Sequence, residues 1–473
     1  MTFQGEMGKP KKKGEAGVVN PWTPNFEQVK NATGGQVKQP YVDFGTDQFK
    51  DNEKYYSREI LAQERDRLIA KTWHIVGHLN DIPEEHCFMK ADLAGESFLI
   101  VRGKEDKLRA FYNVCQHRGT RMVSDDYGKS RTFTCPYHSW SFKNTGEVAY
   151  IHAEETFRRE VLCRNLDLEP VRVDSWKGWV FINMDMAAEP LADYLGARFR
   201  ESLDAFDYRN FVRVYDVRQT WNVNWKAAIE AFIEGYHVTA VHAKTLTPVM
   251  DDYYVQHDMY ENGQGRTIFP FLEPAQSYLK KLGGKIDGIT PEMQHFLETA
   301  GVAKEDYPTD WRDVKAAVVA SKRKNQKKLG FDFSKFTDDQ LVDDWNLSLF
   351  PFATFNTHPE GVLFQRWMPD AEDPRKTHYI LQVYAMRGEC VIPSYMPIAP
   401  GADRTGKTVL PAMRLEGMGG PALGPVVEED VCFVPKFQAG LESRGFRGAN
   451  YGEHEIRNRQ FYKEYYRYMN QSR

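Results

Sequence analysis

The chain has 473 residues, a formal net charge of −4, and 41% hydrophobic and 27% charged residues. That length outgrows one ordinary core and implies two domains, or one large domain carrying a smaller one. The small net charge gives no electrostatic footprint for nucleic acid or an anionic membrane, and no run reaches the roughly 18 apolar residues that cross a bilayer.

Residues 1–35 read as a flexible arm. Lys9, Lys11, Lys12 and Lys13 stand among Gly, Pro and Asn without interleaved aromatics, and no apolar secretory core is present, so the expected address is cytoplasmic. The six cysteines (Cys87, Cys115, Cys135, Cys163, Cys390 and Cys432) are scattered, which argues against a disulfide framework. From Thr72 to Asp185 the pattern is short strands and turns: Glu96–Arg102 is β-rich, Gly103–Lys107 is a turn, and Arg109–Asn113 is extended again. A helical pattern starts near Ala187, and Trp225–Val241 has helix-forming composition broken only by Gly235. Gln276–Asp343 is polar, lysine-rich and helical in pattern, with Ser321–Lys328 as its most charged stretch, read as a solvated face. Gly361–Trp367 and His378–Ala385 read as antiparallel strands, and Glu453–Met469 as a closing amphipathic helix. The expected class is α+β. A small all-β domain spans 72–185, and a larger antiparallel sheet-and-helix domain is built from 36–71 and 186–473, with 276–343 as a polar helical insertion.

Two short pairs carry chemistry. Cys115-Gln-His117 and Cys135-Pro-Tyr-His138 form Cys-x-His, seventeen residues, Cys-x-x-His. Each pair chelates from one loop tip, and the spacing lets two tips converge. Two thiolates and two imidazoles suit tetrahedral zinc or a pair of irons. Zinc sites usually pair like with like, whereas each loop here gives one of each. That fits a Rieske [2Fe–2S] centre, with both thiolates on one iron and both imidazoles on the other.

The second motif runs Asn224-Trp-Lys to Glu234-Gly-Tyr-His237-Val-Thr-Ala-Val-His242. Two histidines and a carboxylate on one face of ferrous iron leave positions for dioxygen and substrate. Five residues along an ideal helix turn about 500°, so the helix has to end or distort for His237 and His242 to converge. Glu234, three residues before His237, falls on the same helical face.

Tyr112–Arg121, Cys135–Trp140 and the segment from Asn224 to His242 together resemble the Rieske non-haem iron oxygenase family, terminal oxygenase (alpha) subunit of the aromatic-ring-hydroxylating type. One departure is Ser139, where members commonly have Gly; it should alter packing more than ligation. The resemblance implies that His237 and His242 bind a mononuclear Fe(II). It also implies a third ligand far downstream: Asp430, in Val427–Phe433, is the best match, with Glu429, Glu428, Asp251 and Asp252 as alternatives. Glu234 takes the place of an acid, usually Asp, that links a cluster histidine of one subunit to an iron histidine of the next. It further implies a homotrimer, with or without a β subunit, that receives electrons from NAD(P)H through a reductase or ferredoxin. Oxygen from O2 would then enter an organic substrate. An aromatic or alicyclic compound, carboxylate-type by preference, is expected; the alternative is a monooxygenase or demethylase of a quaternary ammonium, methoxy or N-methyl compound. A Rieske electron carrier without a working iron site would not need His237, His242 and Asp430, and a zinc module would be colourless. Phe269, Phe271, Phe350, Phe352, Phe355 and Trp367 fall where pocket walls lie, although each reads first as core.

Overall fold

The computed structural model describes residues 44, 51–253, 255–388 and 391–470. The expected arm over 1–35 and Cys390 lie outside the described residues. Strands are β1 (His74–His78), β2 (Cys87–Leu93), β3 (Glu96–Arg102), β4 (Leu108–Tyr112), β5 (Tyr127–Lys129), β6 (Thr132–Thr134), β7 (Ser141–Lys143), β8 (Val148–Tyr150), β9 (Pro170–Trp176) and β10 (Trp179–Asn183), then β11 (Phe211–Trp221), β12 (Gln256–Met259), β13 (Gly265–Phe269), β14 (Asp344–Leu349), β15 (Ala353–His358), β16 (Gly361–Pro369), β17 (Thr377–Met386) and β18 (Met413–Arg414). The helices that matter below are α1 (Arg58–Arg67), α2 (Trp225–Glu230), α3 (Val238–Val241), α4 (Pro291–Thr299), α5 (Val314–Leu329), α6 (Gly424–Val431) and α7 (Ile456–Met469).

The N-terminal half forms a seven-stranded sheet in the order β1-β10-β9-β4-β3-β2-β5 and a three-stranded sheet β6-β7-β8. Strand β3 shows why a continuous apolar run is needed here. Its alternate residues serve two cores: Phe98 and Ile100 join the large core of the molecule, while Leu99 and Val101 pack with Cys115, Cys135 and Trp140. The C-terminal half is an eight-stranded sheet, β12-β13-β14-β15-β16-β17-β11-β18, antiparallel except for β11 with β18. On β14, Trp345, Leu347 and Leu349 enter a core cluster with Phe355 and Phe364. The intervening Asp344 and Asn346 are buried too, on the face that bounds the cavity described below.

The polar segment 276–343 connects β13 to β14, which pair directly. Thr290 caps α4 by accepting the Met293 amide, and Pro291 opens the helix. Met293, Phe296 and Leu297 of α4, with Val314 and Val318 of α5, pack against Met250, Phe269 and Phe271. The segment therefore backs one wall of that cavity. Ser321–Lys328 is not wholly solvated: Lys322 is buried and pairs with Glu360 at 2.7 Å.

Asn224-Trp-Lys anchors α2. The Asn224 side chain accepts the Lys226 amide as N-cap. The Trp225 indole donates to Glu64 of α1 at 3.0 Å, Lys226 Nζ reaches the same carboxylate at 2.5 Å, and Tyr465 of α7 donates to it at 2.6 Å. One buried acid thus ties three helices together. Among the described residues no helix is long and apolar enough to cross a membrane.

Candidate metal centres

The two Cys–His loops repeat one backbone design. In the first, the Cys115 amide donates to Thr120 O (2.9 Å) and the Gly119 amide to Cys115 O (3.0 Å); in the second, Cys135 donates to Trp140 O (2.8 Å) and Ser139 to Cys135 O (3.0 Å). The fifth residue of each, Gly119 and Ser139, is left-handed at φ +78° and +60°. Ser139 therefore occupies a conformation that glycine adopts without cost. Both cysteines are buried. Burial pushes the Cys115 thiol up, and the amides of His117 and Arg118 at its sulfur partly offset this. The His117 and His138 rings lie edge to face, 4.6 Å between centroids, with Trp140 stacked on His117 at 5.0 Å. His138 Nδ1 is buried without a hydrogen-bond partner, an arrangement costly for a free imidazole and natural for a metal ligand. Two thiols, two facing imidazoles and this orphaned nitrogen fit a [2Fe–2S] cluster.

The helix-forming stretch Trp225–Val241, expected to end or distort between His237 and His242, is broken earlier, into two pieces. Helix α2 stops at Glu230, and α3 is a single turn flanked by His237 and His242. The physical cause is local. The Glu234 carboxylate accepts the amides of Tyr236 and His237, replacing the helical carbonyls, and Gly235 packs so closely on the Phe269 ring that a Cβ would clash. Glu234 meets His237 because the chain turns back there, and the expected helical face is not the reason. The side chains converge: His237 Nε2 lies 3.2 Å from His242 Nε2, and Asp430 Oδ1 on α6 lies 3.4 and 3.1 Å from them. These three residues form a group able to hold a metal ion.

The outer ring nitrogens are occupied by carboxylates. Glu234 Oε1 bonds His237 Nδ1, and Glu429 Oε2 bonds His242 Nδ1 at 2.9 Å while also accepting the Thr245 hydroxyl at 2.6 Å. A proton held on each Nδ1 leaves each Nε2 lone pair free for a metal. Burial opposes charge on His237, yet Glu234 and Asp430 raise its pKa well above the ordinary imidazole range. Burial likewise disfavours the Asp430 carboxylate, but bonds from His237 and His242 lower its pKa. Three acids around two imidazoles call for positive charge, which a divalent cation supplies. The other acids weighed for this position are engaged elsewhere: Glu428 accepts the Gly420 amide, Asp251 the Tyr253 amide and Asp252 the Thr239 hydroxyl.

The triad opens into a cavity of about 90 Å³. Phe232, Leu246 and Met250 line it on the helical side with Phe269 and Phe271, and Asp344, Asn346, Asn356, Leu363 and Gln365 line it from the sheet. Of the aromatics singled out in the sequence, Phe269 and Phe271 are walls, while Phe350, Phe352, Phe355 and Trp367 are core. Phe232, Tyr395 and Asp344 carried no sequence signal, because each sits in a run that reads equally well as core or surface.

Residues 208–471 match the family model of the ring hydroxylating alpha subunit (catalytic domain), and residues 72–168 match the Rieske [2Fe-2S] domain. The chain belongs to the ring hydroxylating alpha subunit family. Among curated members, it is 31% identical over 237 residues to the carnitine monooxygenase oxygenase subunit of Escherichia coli (strain K12), covering 48% of this chain and 60% of that one. It is 31% identical over 281 residues to the large oxygenase component of the naphthalene 1,2-dioxygenase system of Pseudomonas putida, covering 56% and 60%. The matches thus span three fifths of these relatives. Solved family structures share the fold across nearly the whole length. A quaternary ammonium Rieske monooxygenase in complex with L-carnitine superposes with TM-score 0.61 at 20% identity, covering 91% of this chain and 99% of that one. Naphthalene 1,2-dioxygenase with indole bound superposes at 0.62 and 21%, covering 92% and 95%. The chain thus joins a Rieske domain to a catalytic domain, and both candidate ligand sets described above fall within the matched spans.

Proposed function

We propose that this chain is the terminal oxygenase of a multicomponent Rieske system, inserting oxygen from O2 into an organic substrate with electrons relayed from NAD(P)H through a reductase or ferredoxin. The observation that carries the reading is the His237, His242 and Asp430 triad opening into a largely apolar cavity, on a chain that also bears the two Cys–His loops. A pure electron carrier would have no use for that triad.

In this reading Cys115 and Cys135 hold one iron of the cluster and His117 and His138 the other, while His237, His242 and Asp430 hold the mononuclear ferrous iron. Bound there, that iron supplies oxygen activation. The protein's own contributions are position and proton control. Glu234 and Glu429 fix the two ring tautomers and aim both Nε2 atoms at the metal. Phe232, Leu246 and Met250 seat the apolar part of the substrate beside the triad and keep water out. Glu234, with one carboxylate oxygen on His237, is the residue through which a neighbouring subunit's cluster would be linked to this iron, in a homotrimer with or without a β subunit. We place the protein in the cytoplasm, with its nicotinamide reductant.

The main substrate reading is an aromatic or alicyclic compound; the alternative, a quaternary ammonium or N-methyl compound, draws support from the carnitine-oxidising relatives. The test is anaerobic purification followed by counts of iron and acid-labile sulfide. About three irons and two sulfides per chain with a Rieske-type paramagnetic signal are expected, together with NAD(P)H-dependent O2 uptake once a surrogate reductase is added. Zinc without sulfide would overturn the reading.

A further inference from the structure

The sheet wall of the cavity holds a carboxylate with no cationic partner among the described residues. Asp344 is 4% exposed. One oxygen accepts from Asn356 Nδ2 at 2.7 Å and the other from the Tyr395 hydroxyl at 3.1 Å. Both donors are neutral. His358 lies 3.6 Å away, but its Nε2 is bonded to the Tyr395 hydroxyl at 2.7 Å, and burial holds its pKa down to about 3, so it carries no charge at neutral pH. Lys322 is paired with Glu360. Arg457, behind the wall, is held on Asn346 and Thr267 at 2.7 and 2.8 Å. Among the described residues no Lys or Arg lines the cavity.

A carboxylate has about four lone-pair positions and two are filled here, so the remainder is available to whatever occupies the cavity. A buried charge without a counter-charge is costly. Burial accordingly pushes the Asp344 pKa up to about 7, against the bonds from Asn356 and Tyr395. The Phe271 and Tyr395 rings, 6.0 Å apart and tilted by 37°, line the same cavity. Aromatic rings lining one cavity with a carboxylate are surroundings that favour an organic ammonium ion. An anionic substrate would meet Asp344 without a compensating cation, which opposes the carboxylate-type compound expected from the sequence.

We propose that Asp344, with Phe271 and Tyr395, recognises a positively charged nitrogen of the substrate, and that the C–H group to be oxidised is thereby presented to the His237, His242 and Asp430 triad. This rests on the cavity being the substrate site of an oxygenase. It deepens that reading by naming the substrate class, a small organic cation, and the residue that selects it.

The test uses the holoenzyme and shape-matched probes that differ only in charge: choline against 3,3-dimethylbutan-1-ol, and benzyltrimethylammonium against neopentylbenzene, with 3,3-dimethylbutanoate as the anion. Equilibrium dialysis should give at least one cation binding about tenfold or more tighter than its carbon isostere, and Asp344→Asn should abolish that preference. Tyr395→Phe, which leaves the carboxylate in place, should retain a cation preference. Iron and sulfide counts and melting temperatures on the same samples keep two failures apart. Loss of both metal centres in the parent protein would overturn the oxygenase reading. Intact centres with equal binding of cation and isostere, tighter binding of the anion, no binding of either cation, or a preference that survives in Asp344→Asn would overturn this proposal alone.

Discussion

Glu429 and His242 meet at 2.9 Å, carboxylate to Nδ1, while the next residue in the chain, Asp430, approaches the opposite nitrogen of the same ring. Two consecutive acids thus grip one imidazole from both sides, and only the second faces the other histidine. In the proposed reading the first sets the tautomer and the second shares the metal. Glu429→Gln can no longer hold the proton on Nδ1 as a charged acceptor does. Ferrous-ion affinity should fall by roughly 10- to 100-fold, while the visible spectrum of the cluster stays unchanged. Iron titration of the apo-site, followed beside that spectrum, checks both halves; an unchanged affinity would reduce Glu429 to a bystander.

Ser139 offers a test on the other centre. Its equivalent in the first loop is Gly119, and both sit at positive φ. A side chain there strains the backbone without a compensating contact requirement, since Ser139 is exposed. Ser139→Gly should relieve the strain at the expense of a more flexible unfolded chain. A net gain of up to about 1 kcal/mol is expected, read as a higher melting temperature with identical cluster absorbance. Ser139→Val, β-branched at the same angles, should lose stability instead.

Lys226 is the cation of a fully buried pair with Glu64. Removing it strands a carboxylate that also receives Trp225 and Tyr465. Lys226→Met should cost about 3–5 kcal/mol and loosen α2 and thereby the turn that carries His237. Glu64→Gln with Lys226→Met together should recover part of the loss, because the stranded charge is gone. Denaturant unfolding of the three variants measures this cycle.

How much of this was readable in advance depends on what each residue type does when alone. The cluster loops stood out because thiol and imidazole at such tight spacing have few structural uses. His237 and His242 stood out through their company, Asn224-Trp-Lys upstream, whose anchoring role in α2 is now plain. Glu428, Glu429 and Asp430 are three consecutive acids, and composition cannot say which one faces inward; α6 turns Asp430 to the triad and leaves Glu429 on the flank of His242. The break at Glu234 was invisible because the competition between a side-chain carboxylate and helical carbonyls for the same amides is decided by tertiary packing. Asp344 was hidden for a different reason. In an alternating strand a polar residue reads as solvent-facing, and here that face of β14 bounds an internal cavity.

Buried histidines away from the metals make the last prediction. Burial lowers the pKa of His78 to about 4. The neutral ring is fully used, with Nε2 bonded to Tyr208 O at 3.0 Å and Nδ1 accepting the Asn80 amide at 3.2 Å. In the unfolded chain this ring titrates near 6.5, so between about pH 6.5 and 4 the unfolded state binds a proton that the folded state refuses. The stability contributed is present above pH 6.5 and is lost as pH falls, by on the order of 3 kcal/mol at pH 4. His74, also lowered to about 4 by burial, acts in the same sense. Asp343, Asp344 and Glu455, raised to about 7 chiefly by burial, act in the opposite sense across an overlapping window. The total profile is therefore a sum of opposed slopes, and the informative quantity is a difference. His78→Gln should be less stable than the parent at pH 7 through its lost bonds, and that gap should narrow by about 3 kcal/mol on going to pH 4. Urea unfolding of both proteins across this range decides it: a gap that stays constant would mean that His78 is protonated in the folded protein as readily as in the unfolded chain.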